Sequence, residues 1–250
     1  MRKPLMAGNW KMYKTISEGV DVIKALKGNV KDVTDRDVLL FVPFTMLKAL
    51  ADEVKNSNIW IGAQNMYFEK EGAFTGEISP IMIKDAGAGS VLLGHSERRH
   101  VFGESDELIN KKVKSALDNE LWPVLCVGEL LEEREAGKVE DVLRTQVTGG
   151  FKGLSRDEAY KVTVAYEPVW AIGTGKTATP EDADNAHSII RKLLEELYDA
   201  ELASHCRILY GGSVKPDNVD GLMAKPNIDG TLVGGASLKA DSFTRIVKFQ

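Results

Sequence analysis

Eight short apolar runs, each separated from the next by a stretch with helical spacing, constrain the fold of this chain more than any other feature. The runs are Leu5–Gly8, Val38–Val42, Ile59–Ala63, Ser90–Leu93, Pro123–Val127, Val162–Tyr166, Arg207–Tyr210 and Thr231–Val233. Between them, apolar residues recur with the 3.6-residue period of a helix, as in Ala183, Ala186, Ile189, Ile190, Leu193, Leu194 and Leu197. Strands that are apolar throughout and flanked by helices predict a parallel sheet buried on both faces. Eight units in 250 residues average about 31 residues each, the size of a βα unit. The expected fold is α/β, a single-domain (β/α)8 barrel over residues 1–250, with no linker, charge block or low-complexity tract to divide it. Periodicity alone fits a doubly wound open sheet nearly as well; the count of eight favours the closed barrel.

Several helices announce their boundaries. Thr15 with Glu18 forms a capping-box pattern, and Ser79-Pro80 and Thr179-Pro180 each place a cap before a proline at the first helical position. Gly28, following Leu26-Lys27, is expected to stop the first long helix.

A net charge of −5 gives no support to nucleic-acid or anionic-membrane binding. It also means that an anionic substrate must be attracted by local groups, within roughly a Debye length of ~8 Å. The two cysteines, Cys126 and Cys206, have neither disulfide-framework nor metal-ligand spacing and fit a reducing compartment. The N-terminal MRKPLMAGNW holds no apolar run long enough for a signal peptide or a membrane span, so a cytoplasmic location is expected.

In a (β/α)8 barrel, chemistry sits in the loops after the strands. Polar residues just past strand ends are Asn9 and Lys11, Gln64 and Asn65, His95, Ser96 and Glu97, Glu129, Glu167 and Ser213, together with the pair Gly234-Gly235. Glu167 ends the run VTVAY and precedes Pro168, which biases it toward extended geometry at a strand mouth. A salt-bridged rim residue is the competing interpretation. The following stretch, Pro168, Val169, Trp170, Ala171, Ile172, Gly173, Thr174, Gly175 and Lys176, is apolar in its middle and glycine-bearing at its end. Apolar residues on a loop tip are costly unless they cover something, so the segment reads as a lid over a ligand, or else as a loop packed on its own barrel.

His95 alone of the four histidines directly follows an apolar strand; His100, His187 and His205 read as structural or solvent-facing. If Ser96 opens a helix, its free N–H groups disfavour imidazolium and leave a neutral ring able to donate one N–H. Asn9 and Lys11, two apart in extended geometry, are expected to point to one face, where an ammonium and an amide suit an anionic ligand bearing a carbonyl. Glu97 is a candidate counter-ion for Lys11. Glycine turns at Gly173, at Gly211-Gly212-Ser213 and at Gly234-Gly235 let backbone N–H groups approach a phosphate, and the last two loops of such barrels often do so.

Other motifs fail on inspection. Gly173-Thr174-Gly175-Lys176-Thr177 has Trp170 where a P-loop needs glycine, and Gly87-Ala88-Gly89 precedes a strand and has Leu92 at the third glycine position of a dinucleotide fingerprint. Gly211-Gly212-Ser213 has Lys215 where a nucleophile elbow needs glycine. Cys126 reads as a small buried hydrophobe. No metal site and no cofactor are expected.

With these positions in hand, the chain resembles triosephosphate isomerase over essentially its whole length. The matching stretches are AGNWKM (7–12), QNMYFEKEGAFTGEIS (64–79), LLGHSERR (92–99), PVLCVGE (123–129), AYEPVWAIGTGKTATP (165–180), LYGGSV (209–214) and VGGASL (233–238). The resemblance implies that dihydroxyacetone phosphate and D-glyceraldehyde 3-phosphate are the substrates. Glu167 would move a proton between C1 and C2, neutral His95 and Asn9 would polarise the carbonyl, and Lys11 would stabilise the enediolate and phosphate charge. Gly173, Ser213, Gly234 and Gly235 would hold the phosphate, with Ser96 and Glu97 in support and residues 168–176 as the lid. Phe74, Thr75 and Gly76 match a protruding loop that inserts beside the partner's active site, which implies a homodimer. Two rivals remain: a phosphate-binding barrel aldolase with Lys11 as Schiff-base nucleophile, and a non-catalytic sugar-phosphate binder.

Overall fold

The computed structural model describes residues 2–172 and 177–250. Its strands are β1 Leu5–Asn9, β2 Asp37–Val42, β3 Ile59–Ala63, β4 Ser90–Leu93, β5 Trp122–Val127, β6 Thr163–Tyr166, β7 Ile208–Tyr210 and β8 Gly230–Val233. Each pairs in parallel with the next, and β8 returns to β1 with Leu5 opposite Gly230, closing the barrel in chain order. The open doubly wound sheet is thereby excluded. All eight strands read from the sequence lie within one residue of these bounds, because strands buried on both faces must be apolar along their whole length.

The helices of the first half are α1 Ile16–Val30, α2 Leu47–Glu53, α3 Pro80–Asp85, α4 Ser96–His100 and α5 Asp106–Asp118. Those of the second half are α6 Leu131–Glu135, α7 Val139–Phe151, α8 Arg156–Ala159, α9 Pro180–Leu197, α10 Ala200–His205, α11 Val219–Met223 and α12 Ala240–Val247. The caps hold as expected: the Glu18 carboxylate accepts from the Thr15 N–H at 2.7 Å and from its hydroxyl at 2.8 Å. Ser79 accepts from the Met82 N–H at 3.3 Å, and Thr179 from the Asp182 N–H at 3.0 Å. Gly28 does not stop α1, which continues to Val30. Val30 is fully buried, and the Asn58 amide donates to the Val30 and Val33 carbonyls at 2.7 Å each. Burial and side-chain termination two residues later outweigh the preference of glycine for a helix end.

Strand alternation separates two cores. Leu5, Ala7, Leu39, Phe41, Leu92, Val124, Cys126, Ala165, Leu209 and Leu232 fill the barrel interior. Residues such as Met6, Leu40, Ile61, Val91, Leu125 and Val164 face outward into a second core shared with the helices. No described helix is long and apolar enough to cross a membrane.

Candidate active site at the carboxyl mouth of the barrel

The alternation that turns Leu5, Ala7 and Ala165 inward carries Asn9 and Glu167 to the same interior face at the strand ends. Glu167 is 2% exposed. Glycines just past the neighbouring strands leave it room: a Cβ on Gly128 would lie 1.8 Å from the Glu167 carbonyl oxygen, and one on Gly211 would lie 2.8 Å from Glu167 Cγ. Its carboxylate meets two groups of the β4 loop. Oε2 accepts from the Ser96 N–H at 2.9 Å, and Oε1 lies 3.1 Å from His95 Nε2.

His95 is the N-cap of α4, and its Nδ1 accepts from the Glu97 N–H at 3.2 Å. An imidazole accepting at Nδ1 carries its single proton on Nε2. That proton faces Glu167 and the cavity. Beneath lies Cys126, whose thiol is pushed well up by burial and, secondarily, by the adjacent Glu167 charge; it behaves as the buried hydrophobe expected of it.

Asn9 and Lys11 do meet at the mouth, but not for the reason expected. Lys11 is not extended: its φ is +50°, a left-handed conformation that costs a non-glycine residue free energy. The turn is held by side chains. Asn9 Oδ1 accepts from the Lys11 N–H at 2.9 Å, and Gln64 Nε2 reaches the Lys11 carbonyl at 2.9 Å, the Phe41 carbonyl at 3.1 Å and Asn9 Oδ1 at 3.3 Å. With its oxygen so engaged, Asn9 has its amide N–H groups left to donate. Lys11 Nζ donates to Glu97 Oε1 at 2.6 Å, the counter-ion expected. An ammonium in such a pair lacks the free amine that a Schiff-base aldolase requires.

These groups line one cavity of about 520 Å³, shared by Asn9, Lys11, His95 and Glu167 with Ile172, Gly211, Gly212, Ser213, Gly234 and Gly235. The Lys11 chain passes 3.8 Å from where a Gly234 Cβ would stand. Asn218 shapes the turn after β7, donating to the Ser213 carbonyl at 2.9 Å and accepting from the Lys215 N–H at 2.8 Å. A further crevice of about 400 Å³ opens at the opposite ends of β5–β7, but its Arg207 is committed to Asp37 at 2.7 Å.

Of the expected lid, Pro168 to Ile172 are described, while Gly173, Thr174, Gly175 and Lys176 lie outside the described residues. Val169–Ala171 form a 3-10 turn. The apolar residues are packed: Ala171 is fully buried, and the Trp170 indole donates to Glu129 Oε1 at 2.8 Å beneath the Arg134 guanidinium, 4.7 Å from the ring. Glu129, fully buried, also accepts from the Tyr166 hydroxyl at 3.0 Å. Phe74, Thr75 and Gly76 sit apart from the cavity on an exposed loop spanning residues 69–77.

Gln64 and Glu129 were legible only as polar residues past strand ends; nothing local marks what they bind. Gly128 gave no signal, since a glycine closing an apolar run resembles any other strand terminus.

Comparison with known proteins agrees with this geometry. The family model described as triosephosphate isomerase matches residues 4–250. The triosephosphate isomerase of Roseiflexus sp. (strain RS-1) is 55% identical over 249 residues, covering 100% of this chain and 98% of that protein. That of Carboxydothermus hydrogenoformans is 56% identical over 248 residues, with 99% of each chain covered. That of Geobacter metallireducens is 53% identical over 250 residues and covers both chains fully. The chain belongs to the triosephosphate isomerase family.

Proposed function

We propose that Glu167 is the base in the interconversion of dihydroxyacetone phosphate and D-glyceraldehyde 3-phosphate, with His95, Asn9 and Lys11 as its partners. The isomerisation itself, a proton transfer through an enediolate used in glycolysis and gluconeogenesis, follows from membership of the family. The observation that carries the residue roles is the shared mouth: an acceptor-only carboxylate and an imidazole N–H donor face each other beside a lysine and two glycine turns.

Glu167 takes the C1 proton and returns it at C2. The Nε2–H of His95 and the amide of Asn9 donate to the substrate oxygens as charge develops on them, which favours the enediolate over the ground state. Lys11 supplies the positive charge that a protein of net charge −5 does not supply overall. Backbone N–H groups around Ser213, Gly234 and Gly235 suit the phosphate, with Gly173 assigned there by resemblance. Because the carboxylate already accepts from Ser96 and faces Nε2, substrate must displace it before it can act as a base. Lid closure over residues 168–176 would exclude water from the intermediate.

A homodimer and a cytoplasmic location complete the proposal. Met12 (94% exposed), Met82 (54%), Val101 (72%), Phe102 (64%) and Phe74 (40%) are exposed large apolar side chains on the segments that follow β1, β3 and β4. Exposed apolar residues in that number favour a covered surface. Both cysteines are free and buried, in keeping with a reducing compartment. A coupled assay with either triose phosphate, alongside C1 proton exchange with solvent, tests the function. Binding of a sugar phosphate without exchange would leave only a silent binder.

A further inference from the structure

The β4–β5 ladder ends at the pair Leu93 and Leu125, and beyond it the strands turn into the loops that carry His95 and Glu129. The next two carbonyls, of Gly94 and Cys126, are joined by a single guanidinium. Arg99 Nε donates to the Gly94 carbonyl at 2.8 Å and Nη2 to the Cys126 carbonyl at 3.0 Å. The third arm, Nη1, is anchored on Asp106 Oδ1 at 2.6 Å, in the first turn of α5. The side chain is 8% exposed. A planar fork with five fixed donors can span both strand ends; an ammonium presents its donors from one atom and cannot.

His95 is bracketed by this clamp. The Arg99 backbone N–H donates to the His95 carbonyl at 3.1 Å, and the side chain holds the peptide that leads into His95. Gly94 has φ +70°, and a Cβ there would stand 3.1 Å from Arg99 Nη2 and 3.2 Å from the Cys126 carbonyl, so the bare glycine makes room for the guanidinium. On the far side, the Val127 carbonyl accepts from the Glu167 N–H at 2.7 Å. One run of contacts thus passes from His95 through Arg99 and the end of β5 to Glu167, across strands that are not neighbours.

We propose that Arg99 is a positioning residue for the isomerisation: it prolongs the β4–β5 connection past the end of the ladder and so sets the 3.1 Å separation of His95 from Glu167. The proposal rests on the roles given above to those two residues. A misplacement of about 1 Å at reacting groups costs roughly 10²-fold in rate.

The test is a double-mutant cycle. Values of kcat and KM are measured for Arg99→Met and Arg99→Lys in wild-type and His95→Gln backgrounds, with circular dichroism and thermal unfolding on each protein. Arg99→Met should lower kcat by roughly 10- to 10²-fold while KM changes less than about threefold. Arg99→Lys keeps the charge but not the fork and should recover only part of the loss. In the His95→Gln background the Arg99→Met loss should shrink below about threefold, because the group being positioned is gone. Equal losses in both backgrounds, or a folded Arg99→Met with wild-type kcat, would overturn the proposal. A wild-type kcat for His95→Gln alone would overturn the role of His95, and the proposal with it. Should Arg99→Met fail to fold, Asp106→Asn loosens the same fork and enters the same cycle, with the same two outcomes.

Discussion

Glu167 Oε1 lies 3.1 Å from His95 Nε2 while Oε2 of the same carboxylate accepts from the Ser96 N–H at 2.9 Å. The Nε2–H, the single proton of a ring whose Nδ1 accepts from the Glu97 N–H, is therefore directed at that carboxylate. In the reaction proposed above, a substrate oxygen takes the place of the carboxylate at that N–H.

Replacing Glu167 with Gln removes the proton acceptor while keeping its size. The expected loss in kcat is at least roughly 10²–10⁴-fold, the range typical of a general base. Steady-state kinetics in the coupled assay measure it, and a near wild-type rate would remove Glu167 from the mechanism.

Gln64→Leu strips the amide that reaches the Lys11 and Phe41 carbonyls and Asn9 Oδ1. The strained Lys11 turn then keeps only the bond from its N–H to Asn9 Oδ1, and the Asn9 amide loses one of the two contacts that orient it. A fall of roughly 10- to 10²-fold in kcat/KM is expected from displaced reacting groups. An unchanged kcat/KM in folded protein would show that Asn9 and Lys11 hold their places unaided.

Deletion of residues 70–77 removes Phe74, Thr75 and Gly76 from the exposed loop. Monomers with impaired activity are expected, because an apolar surface would lose the segment that locks it to its partner. Sedimentation showing an unchanged dimer would contradict the assembly proposed.

His187 supplies a pH test. It is wholly buried with Nδ1 3.1 Å from the Asn227 carbonyl, and burial lowers its pKa from 6.5 to about 3. The unfolded chain takes up a proton below pH 6.5 while the folded chain resists until about pH 3, so stability is present above 6.5 and is lost as pH falls through that window. The slope is about 1.4 kcal/mol per pH unit, hence about 2 kcal/mol between pH 7 and 5. Urea unfolding at fixed protein concentration should show this loss in the wild type and a smaller one in His187→Gln. Equal losses in both proteins would place the acid sensitivity elsewhere.

How much was legible in the chain depended on the range of the forces involved. Ile59–Ala63 and Ser90–Leu93 were read to the residue because each is a short, largely buried apolar run bounded by polar or glycine residues. Ser79 and Thr179 were legible as caps because a cap acts within three residues. Gly28 was misread because what carries α1 onward is Asn58, from a distant loop. Lys11 was expected in extended geometry because its left-handed turn needs Gln64, from a distant loop, on its carbonyl as well as Asn9 on its N–H.

The amino-acid sequence by itself determined eight buried strands and the polar residues delivered at their carboxyl ends, since strand formation and alternation are local consequences of apolar spacing. Only the closed barrel decided that Glu167 faces the Nε2–H of His95, that Lys11 pairs with Glu97, and that Gly128 and Gly211 give the Glu167 backbone and side-chain stem their room. Those relationships depend on how the strands are staggered around the ring, a quantity no single segment carries, because it emerges only when β8 meets β1.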